Sequence, residues 1–396
     1  MKKELKNKKR RVVVGLSGGV DSSVTAALLQ RQGYEVIGVY MKNWDTESPT
    51  LGNNPLEADS YRLTCPWYDD YLDAKRVALK LGIPFHVCDF REAYKTKVFD
   101  VFLAEFTKGR TPNADIYCNS LLKFDEFINF SLTFLKADYV ATGHYARISK
   151  VRSAGSLSQS KAVEYLLQIP KDNKKDQTYF LYRLSQEQLA HTLFPLAEYT
   201  KDEVRELAKQ FDLPTKYKKD SQGMCFVGDV SMREFMAHWL PEKLGDIHDL
   251  EGRVIGKHQG VHFTTIGGKI AVDNALVAKH YPQYKHDIPH FYVVRKYIDD
   301  NIVMAVPGHD HPTLFERAVV VDSIIDNYVS RRKNDQQVFA RLRHGGNLVP
   351  LESITSLDDD RRQLAFTDPQ RALTPGQHIV LYSNEDLVLG GGVISE

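Results

Sequence analysis

The feature that most constrains the fold is the run Val12-Val13-Val14-Gly15-Leu16-Ser17-Gly18-Gly19-Val20-Asp21-Ser22-Ser23. Its β-branched apolar residues predict a buried strand. The glycines predict a tight loop, and Thr25-Ala26-Ala27-Leu28-Leu29 predicts a helix that starts inside that loop. Strand, glycine loop and helix N-terminus in immediate succession form an anion cradle. Glycine allows close approach of backbone N–H groups, and the helix dipole favours negative charge at its first turn. Ser17, Ser22 and Ser23 add hydroxyl groups, so the loop is expected to hold phosphate. It is not a Walker loop, because Val20-Asp21-Ser22 stands where a Lys followed by Ser or Thr is required, and the G-x-G-x-x-G spacing is absent as well.

The first half of the chain alternates in the same way. Strands are predicted at 11–16, 35–41, 84–88 and 139–141, with helices near 20–33, 69–81, 91–107, 119–135 and 200–211. Such alternation predicts an α/β domain with a parallel sheet covered on both faces. Ligands of these sheets bind beyond the carboxyl ends of the strands, which singles out 17–22, 41–44 and Thr142-Gly143-His144. The polar stretch 152–161 reads as a loop between strands. The middle segment reads as a short helix (Met232 to Trp239) among turns. From 289 the texture becomes short alternating strands punctuated by Gly, Asn and Asp, which predicts a small C-terminal β-barrel. The expected domains are therefore 1–228, 229–288 and 289–396.

A chain of 396 residues is too long for one core. Its net charge of +1 carries no global basic field, so any nucleic-acid contact must come from local patches. The leader Lys2-Lys3-Glu4-Leu5-Lys6-Asn7-Lys8-Lys9-Arg10-Arg11 has no apolar h-region and reads as a solvated tail. The cysteines are Cys65, Cys88, Cys118 and Cys225, and none form a C-x-x-C pair. That spacing argues against a zinc site and predicts a reducing, cytoplasmic setting. No continuous apolar window approaches membrane-spanning length.

Cys88 sits inside an apolar strand and is expected to be structural. Cys118 is different. It lies in Gly109-Arg110-Thr111-Pro112-Asn113-Ala114-Asp115-Ile116-Tyr117-Cys118-Asn119, directly before the helix expected at 119–135. A helix N-terminus activates a thiol, and the polar, turn-forming surroundings predict accessibility. Asp115 is within reach for proton transfer. Cys225 lies between Gly223 and Gly228 on an expected mobile loop, a setting that suits redox or persulfide chemistry.

Ser17-Gly18-Gly19-Val20-Asp21-Ser22 resembles the PP-loop of the N-type ATP pyrophosphatases, an adenine nucleotide alpha hydrolase-like fold. Over nearly its whole length the chain resembles the tRNA-specific 2-thiouridylases. The matching segments include Met41-Lys42-Asn43-Trp44, Gly109-Arg110-Thr111-Pro112-Asn113, Cys118-Asn119, Ala141-Thr142-Gly143-His144-Tyr145, Lys175-Asp176-Gln177-Thr178-Tyr179-Phe180-Leu181, Asp220-Ser221 with Cys225-Phe226, Thr374-Pro375-Gly376-Gln377 and Leu389-Gly390-Gly391-Gly392.

The resemblance implies an ATP site formed by Gly15, Leu16, Ser17, Gly18, Gly19, Val20, Asp21, Ser22, Met41 and Gly143, with Mg²⁺ on the ATP phosphates. It implies adenylation of the C2 carbonyl of a wobble uridine. Cys225 would carry a persulfide from a cysteine desulfurase or a sulfur-carrier protein, Cys118 would close a disulfide with Cys225, and Asp115 would act as acid–base group beside the flipped base. It implies tRNA contacts at Asn113, Ala114, Asp115, His144, Lys175, Asp176, Gln177, Arg341, Leu342 and Gln377. From the residues alone, Arg341, Arg343 and His344 are expected on one short strand that meets phosphate or sugar. Three departures stand out. Ala114 replaces a usual proline, Ser120 replaces a usual lysine, and Gly268-Lys269-Ile270-Ala271-Val272-Asp273-Asn274-Ala275 replaces a glycine-rich basic stretch, which predicts altered tRNA docking by the middle domain. The competing readings are an amide-forming PP-loop ligase, of the argininosuccinate or GMP synthetase kind, and a non-catalytic paralogue that binds tRNA or ATP.

Overall fold

The computed structural model describes residues 9–44, 67–152, 163–219, 232–327, 337–384 and 386–395. Cys65, Cys225, the leader before Lys9 and the polar stretch after Arg152 lie outside them. Two compact units are present: residues 1–99 with 114–229 and 385–388, and residues 100–113 with 230–384 and 389–396.

The first unit is built on a parallel sheet. Its strands are β1 (Arg11–Gly15), β2 (Glu35–Lys42), β3 (Phe85–Asp89) and β4 (Tyr139–Ala141). The hairpin β5 (Arg147–Arg152) and β6 (Val163–Gln168) stands apart, and β7 (Thr192–Leu193) returns to the sheet. The order is β3-β2-β1-β4-β7. Val12, Val13 and Val14 are all fully buried, because helices cover both faces of a parallel sheet. The helix α1 (Val20–Arg31) buries Val20 and every residue from Ser22 to Leu29, so it packs on more than one side. The chain runs from β1 to β2 and β3 on one side, then crosses to β4 on the other. Beside β1 the strand order thus reverses, and a crevice opens there at the carboxyl ends.

One predicted helix starts earlier than expected. The first turn is Ala114–Tyr117, a π-helical stretch follows over Cys118–Glu126, and an α-helix continues over Phe127–Thr133. Asn113, a favoured residue before a first turn, precedes the helix. Cys118 is therefore a full turn inside, not at the N-terminus, and it is buried rather than accessible. The dipole effect fades within the first turn, so it falls on Asp115.

In the second unit the middle segment is a sheet rather than a helix among turns. Its strands are β8 (Gly245–His248), β9 (Val254–His258), β10 (Lys269–Ile270), β11 (Phe291–Tyr297) and β12 (Ile302–Pro307), in the order β10-β11-β12-β8-β9. β11 and β12 were expected in the C-terminal barrel. They pair instead with β8 and β10, and the barrel begins at Phe315. The reason is non-local: β12 pairs in parallel with β8, far away in sequence, and the short polar strands β8 and β9 carry little periodicity.

The closed barrel runs β13 (Phe315–Asp326), β16 (Arg362–Arg371), β15 (Val349–Ser356), β14 (Val338–Arg341), β17 (His378–Ser383) and β18 (Val388–Ile394). Closure depends on the glycine run in β18. A Cβ at Gly390 would meet the Ile325 carbonyl oxygen at 2.1 Å, and one at Gly392 the Asp322 carbonyl oxygen at 2.7 Å, flanking the register shift in β13.

Asn301 closes the turn between β11 and β12 at φ 53. Its Nδ2 donates to the carbonyls of Lys243 (3.2 Å) and Leu244 (2.9 Å), and its Oδ1 accepts from the Val261 amide (3.4 Å). Asn301→Ala removes these bonds at a left-handed position. It is expected to cost about 2–4 kcal/mol, read as a lower urea midpoint; an unchanged midpoint would contradict this account of the turn.

Candidate active site

The loop after β1 is held from three directions. Gly18 has φ +76, and a Cβ there would lie 2.3 Å from the Asp70 carbonyl oxygen. A Cβ at Gly143, just beyond β4, would lie 2.7 Å from the Ser22 amide nitrogen. The ends of β1 and β4 therefore touch backbone to backbone, and only glycine permits it. A Cβ on Gly15 would meet Met41 Cε at 3.1 Å, which brings Met41 of β2 to the same edge. Inside the loop, Ser17 N donates to Ser22 Oγ (3.2 Å), Ser22 Oγ and Ser23 Oγ donate to the Gly19 carbonyl (3.2 and 2.6 Å), and Thr215 Oγ1 donates to Ser23 Oγ (3.0 Å). Ser17 is exposed at the lip while Gly18, Ser22 and Ser23 are buried beneath it.

Asp21 faces the protein. Lys201 Nζ reaches both its oxygens at 2.7 and 2.8 Å, and Tyr145 Oη donates at 3.0 Å. Lys201 and Tyr145 are both buried. Asp21 thus binds α1 to the helix Lys201–Gln210 and to the segment after β4. Sequence reasoning did not single out Lys201, because nothing local marks a lysine far along the chain as a partner of the loop. The same holds for Lys218, which pairs with Asp70 (2.8 Å) and Asp73 (2.6 Å) next to the Gly18 contact. Among the described residues no group of three or more His, Cys, Asp or Glu side chains is arranged to hold a metal ion.

The helix bearing Cys118 packs onto this edge. Phe127 lies 3.6 Å from where a Gly15 Cβ would stand, and the Phe124 ring is 5.7 Å from the His144 ring. Asn119 Nδ2 donates to the Asp115 carbonyl (2.9 Å), and Ser120 Oγ donates to the Ile116 carbonyl (2.9 Å). Ser120 is buried, which accounts locally for a small hydroxyl in place of a lysine. Cys88 lies buried in β3, and burial pushes its thiol pKa up to about 11, as a structural cysteine requires. His144 sits between Phe124 and Phe194, with Nδ1 2.7 Å from Thr142 Oγ1. Burial, with Lys123 nearby, holds its pKa well below the usual histidine value.

The residues expected to meet tRNA divide by environment. Lys175 is exposed. Asp176 is buried and accepts from the Thr178 amide (2.9 Å) and hydroxyl (2.7 Å). Gln177 Oε1 accepts from the Tyr145 amide (2.9 Å), which ties this segment to the Asp21 network. In the other unit Asn113 and Leu342 are half-buried, as is Gln377, whose main chain bonds Thr374 and Ile394. Ala114 is buried and Asp115 half-buried. β14 ends at Arg341, so Arg343 and His344 are not on a strand with it; they are exposed in the turn beyond. Arg341 itself is buried with its guanidinium over the Tyr382 ring, 4.9 Å from the centroid. The replaced stretch after Gly267 is an ordered sheet edge. Lys269 and Ile270 pair with β11, and Asp273 caps the helix Asn274–His280.

A family profile described as tRNA methyl transferase HUP domain matches residues 10–229, one described as tRNA methyl transferase PRC-barrel domain matches 233–307, and one described as Aminomethyltransferase beta-barrel domain matches 322–394. The class is thus a HUP-type, PP-loop-like α/β domain followed by a PRC-barrel domain and a closed β-barrel. Proteins called tRNA-specific 2-thiouridylase MnmA are similar throughout: that of Tolumonas auensis is 40% identical over 394 residues, 98% of each chain. Those of Yersinia pestis and Yersinia pseudotuberculosis are 40% identical over 392 residues, 98% of this chain and 97% of theirs. The chain belongs to the family of the tRNA-specific 2-thiouridylase MnmA.

Two outcomes follow from this geometry. Gly143→Ala forces the β1 loop away from β4, so ATP binding measured by calorimetry is expected to weaken about tenfold or more, with little change in melting temperature; unaltered binding would refute the close-approach argument. His144 is the second case. Its pKa is lowered on folding, so the unfolded chain protonates first, and the ring's contribution is complete above about pH 6.5. That contribution is lost as pH falls toward the lowered folded value. His144→Phe is therefore expected to lose less stability between about pH 7 and pH 5 than the unsubstituted protein, measured by denaturant unfolding at both pH values.

Proposed function

We infer that this enzyme carries out the reaction that names its family, the ATP-dependent 2-thiolation of a tRNA uridine. The observation that carries the reading is the convergence at one sheet edge of the glycine-gated loop 17–22, Gly143, and the helix that bears Asp115 and Cys118. A bare phosphate loop would serve many reactions; a thiol-bearing helix packed on it narrows them.

ATP lies along the strand ends, its phosphates against the loop, and Mg²⁺ accompanies those phosphates. Asp21, engaged by Lys201 and Tyr145, shapes the loop and does not act as a metal ligand. The C2 carbonyl oxygen of the wobble uridine attacks the α-phosphorus and pyrophosphate leaves. Adenylation makes that oxygen a good leaving group. Cys225 carries the persulfide; its terminal sulfur attacks C2 and AMP departs. Cys118 then attacks the Cys225 sulfur. A Cys118–Cys225 disulfide forms, the thiocarbonyl stays on the base, and a two-electron reductant resets the pair. Asp115, in the first turn of its helix, handles the proton beside the base. Lys218, anchored at Asp70 beside the loop, supports this role for Cys225, because the chain toward Cys225 leaves from that point.

Asn113, Lys175, Gln177, His144 and Gln377 contribute to tRNA binding, with Arg341 and Leu342 in the barrel. The sulfur donor is a cysteine desulfurase or a carrier protein bearing a persulfide. The setting is the cytoplasm. No helix among the described residues is long and apolar enough to cross a membrane.

Nucleoside mass spectrometry tests the reading. In cells with no other thiolating enzyme, loss of this protein is expected to remove 2-thiouridine from tRNA, and Cys118→Ser or Cys225→Ser is expected to fail to restore it. Persistence of 2-thiouridine in the deleted cells, or full restoration by either serine variant, rejects the mechanism.

A further inference from the structure

β11 carries a bulge. Val293 faces Ala305 and Arg295 faces Met304, so Val294 is an extra residue. A bulge re-aims the side chains that follow it. Lys296 pairs with Val303 and so shares a face with Val293, Ala305 and Val303, all of them buried. In an unbroken strand that face would receive Arg295 and Tyr297, which are instead exposed. A lysine on this apolar face is costly, and burial holds its pKa down at about 8. Packing alone would favour an aliphatic residue here.

The amine is used on two main-chain acceptors. Lys296 Nζ donates to the Gly109 carbonyl oxygen and to the Thr264 carbonyl oxygen, the latter at 2.9 Å. Gly109 is confined sterically too. Its φ is +74, and a Cβ would lie 2.1 Å from Ile298 Cδ1. The next residues are held in turn. Arg110 pairs with Glu105 at 3.0 Å, and the Thr111 amide donates to the Pro375 carbonyl at 2.9 Å. Gly376, at φ +88, leaves no room for a Cβ, which would stand 2.8 Å from Arg110 Cβ. Pro112 and Asn113 follow immediately, and the chain then enters the turn that carries Asp115.

We propose that Lys296 is a positioning residue, which fixes the Gly109 carbonyl and thereby holds segment 109–113 in the form that presents Asn113 to the target base. The bulge in β11 exists to aim this lysine. The activity part of the proposal rests on the thiolation reading above; the structural part does not.

The test compares full-length Lys296→Met and Lys296→Arg with the unsubstituted protein, by hydrogen-exchange mass spectrometry and by steady-state thiolation of an unmodified tRNA transcript. In Lys296→Met, exchange across 109–113 is expected to rise about 10- to 100-fold, with β12 and β13 still protected. The kcat for tRNA is expected to fall about tenfold or more while KM for ATP stays put. Lys296→Arg keeps a cation with several donors and is expected to recover most of both. Exchange at 109–113 within about twofold of the unsubstituted protein overturns the proposal, and so does protection lost evenly across the β11–β12 sheet. An unchanged kcat despite faster exchange, or an arginine variant that recovers neither quantity, also overturns it. If the unsubstituted protein thiolates no tRNA, the function proposed above falls, and the exchange measurement alone decides the role of Lys296.

Discussion

The absence of a side chain at Gly143 is the constraint on which the site depends. At that position the turn after β4 rests directly on the backbone of Asp21 and Ser22. The contact sits where the strand order reverses, so the crevice that a parallel sheet provides at such a point is floored by two loops in van der Waals contact. Once the loops meet, their remaining partners fall into place. Gly18 rests against the Asp70 carbonyl, Asp21 faces Lys201 and Tyr145, and Ser23 meets Thr215. Each partner comes from a different part of the chain, so the loop has one shape because several elements define it together. A preshaped cradle costs little reorganisation when charge arrives.

The thiol-bearing helix is built differently. It passes from an α-turn into a π-helical stretch at Cys118 and back to α-helix at Phe127. Such π segments cost regularity and recur at functional sites. Here the π stretch contains buried Asn119 and Ser120, which bond back to the preceding turn, while Phe124 and Phe127 seat the helix on His144 and Gly15. Cys118 is thereby buried within the helix rather than displayed at its tip. The second unit uses the same economy of means. A bulge aims Lys296, and unsubstituted Gly109 and Gly376 let neighbouring main chains approach.

Much of this was legible in order along the chain. The alternation of apolar strands and helices marked the parallel sheet, and β1, α1 and β2 lie where the pattern placed them, within a few residues at their ends. Local patterns carry that information because a parallel strand is apolar on both faces and a helix is not. The same reasoning failed on β8 and β9. These strands are short, contain Gly, Asp and His, and gain their identity by pairing with β12. It also failed on the start of the Cys118 helix, where Asn113 rather than the residues near 119 precedes the first turn.

By itself the sequence determined what kind of loop follows β1, which cysteine is structural, and which glycines had to be glycines for the barrel to close. These depend on residue type and on neighbours a few positions away. Tertiary structure alone decided that Asp21 is engaged by Lys201, that Asp176 and Arg341 face inward while Lys175 faces out, and that β11 and β12 complete the middle sheet rather than the barrel. Burial and pairing between segments far apart in the chain set these outcomes. They are properties of the packed whole, and no local pattern encodes them.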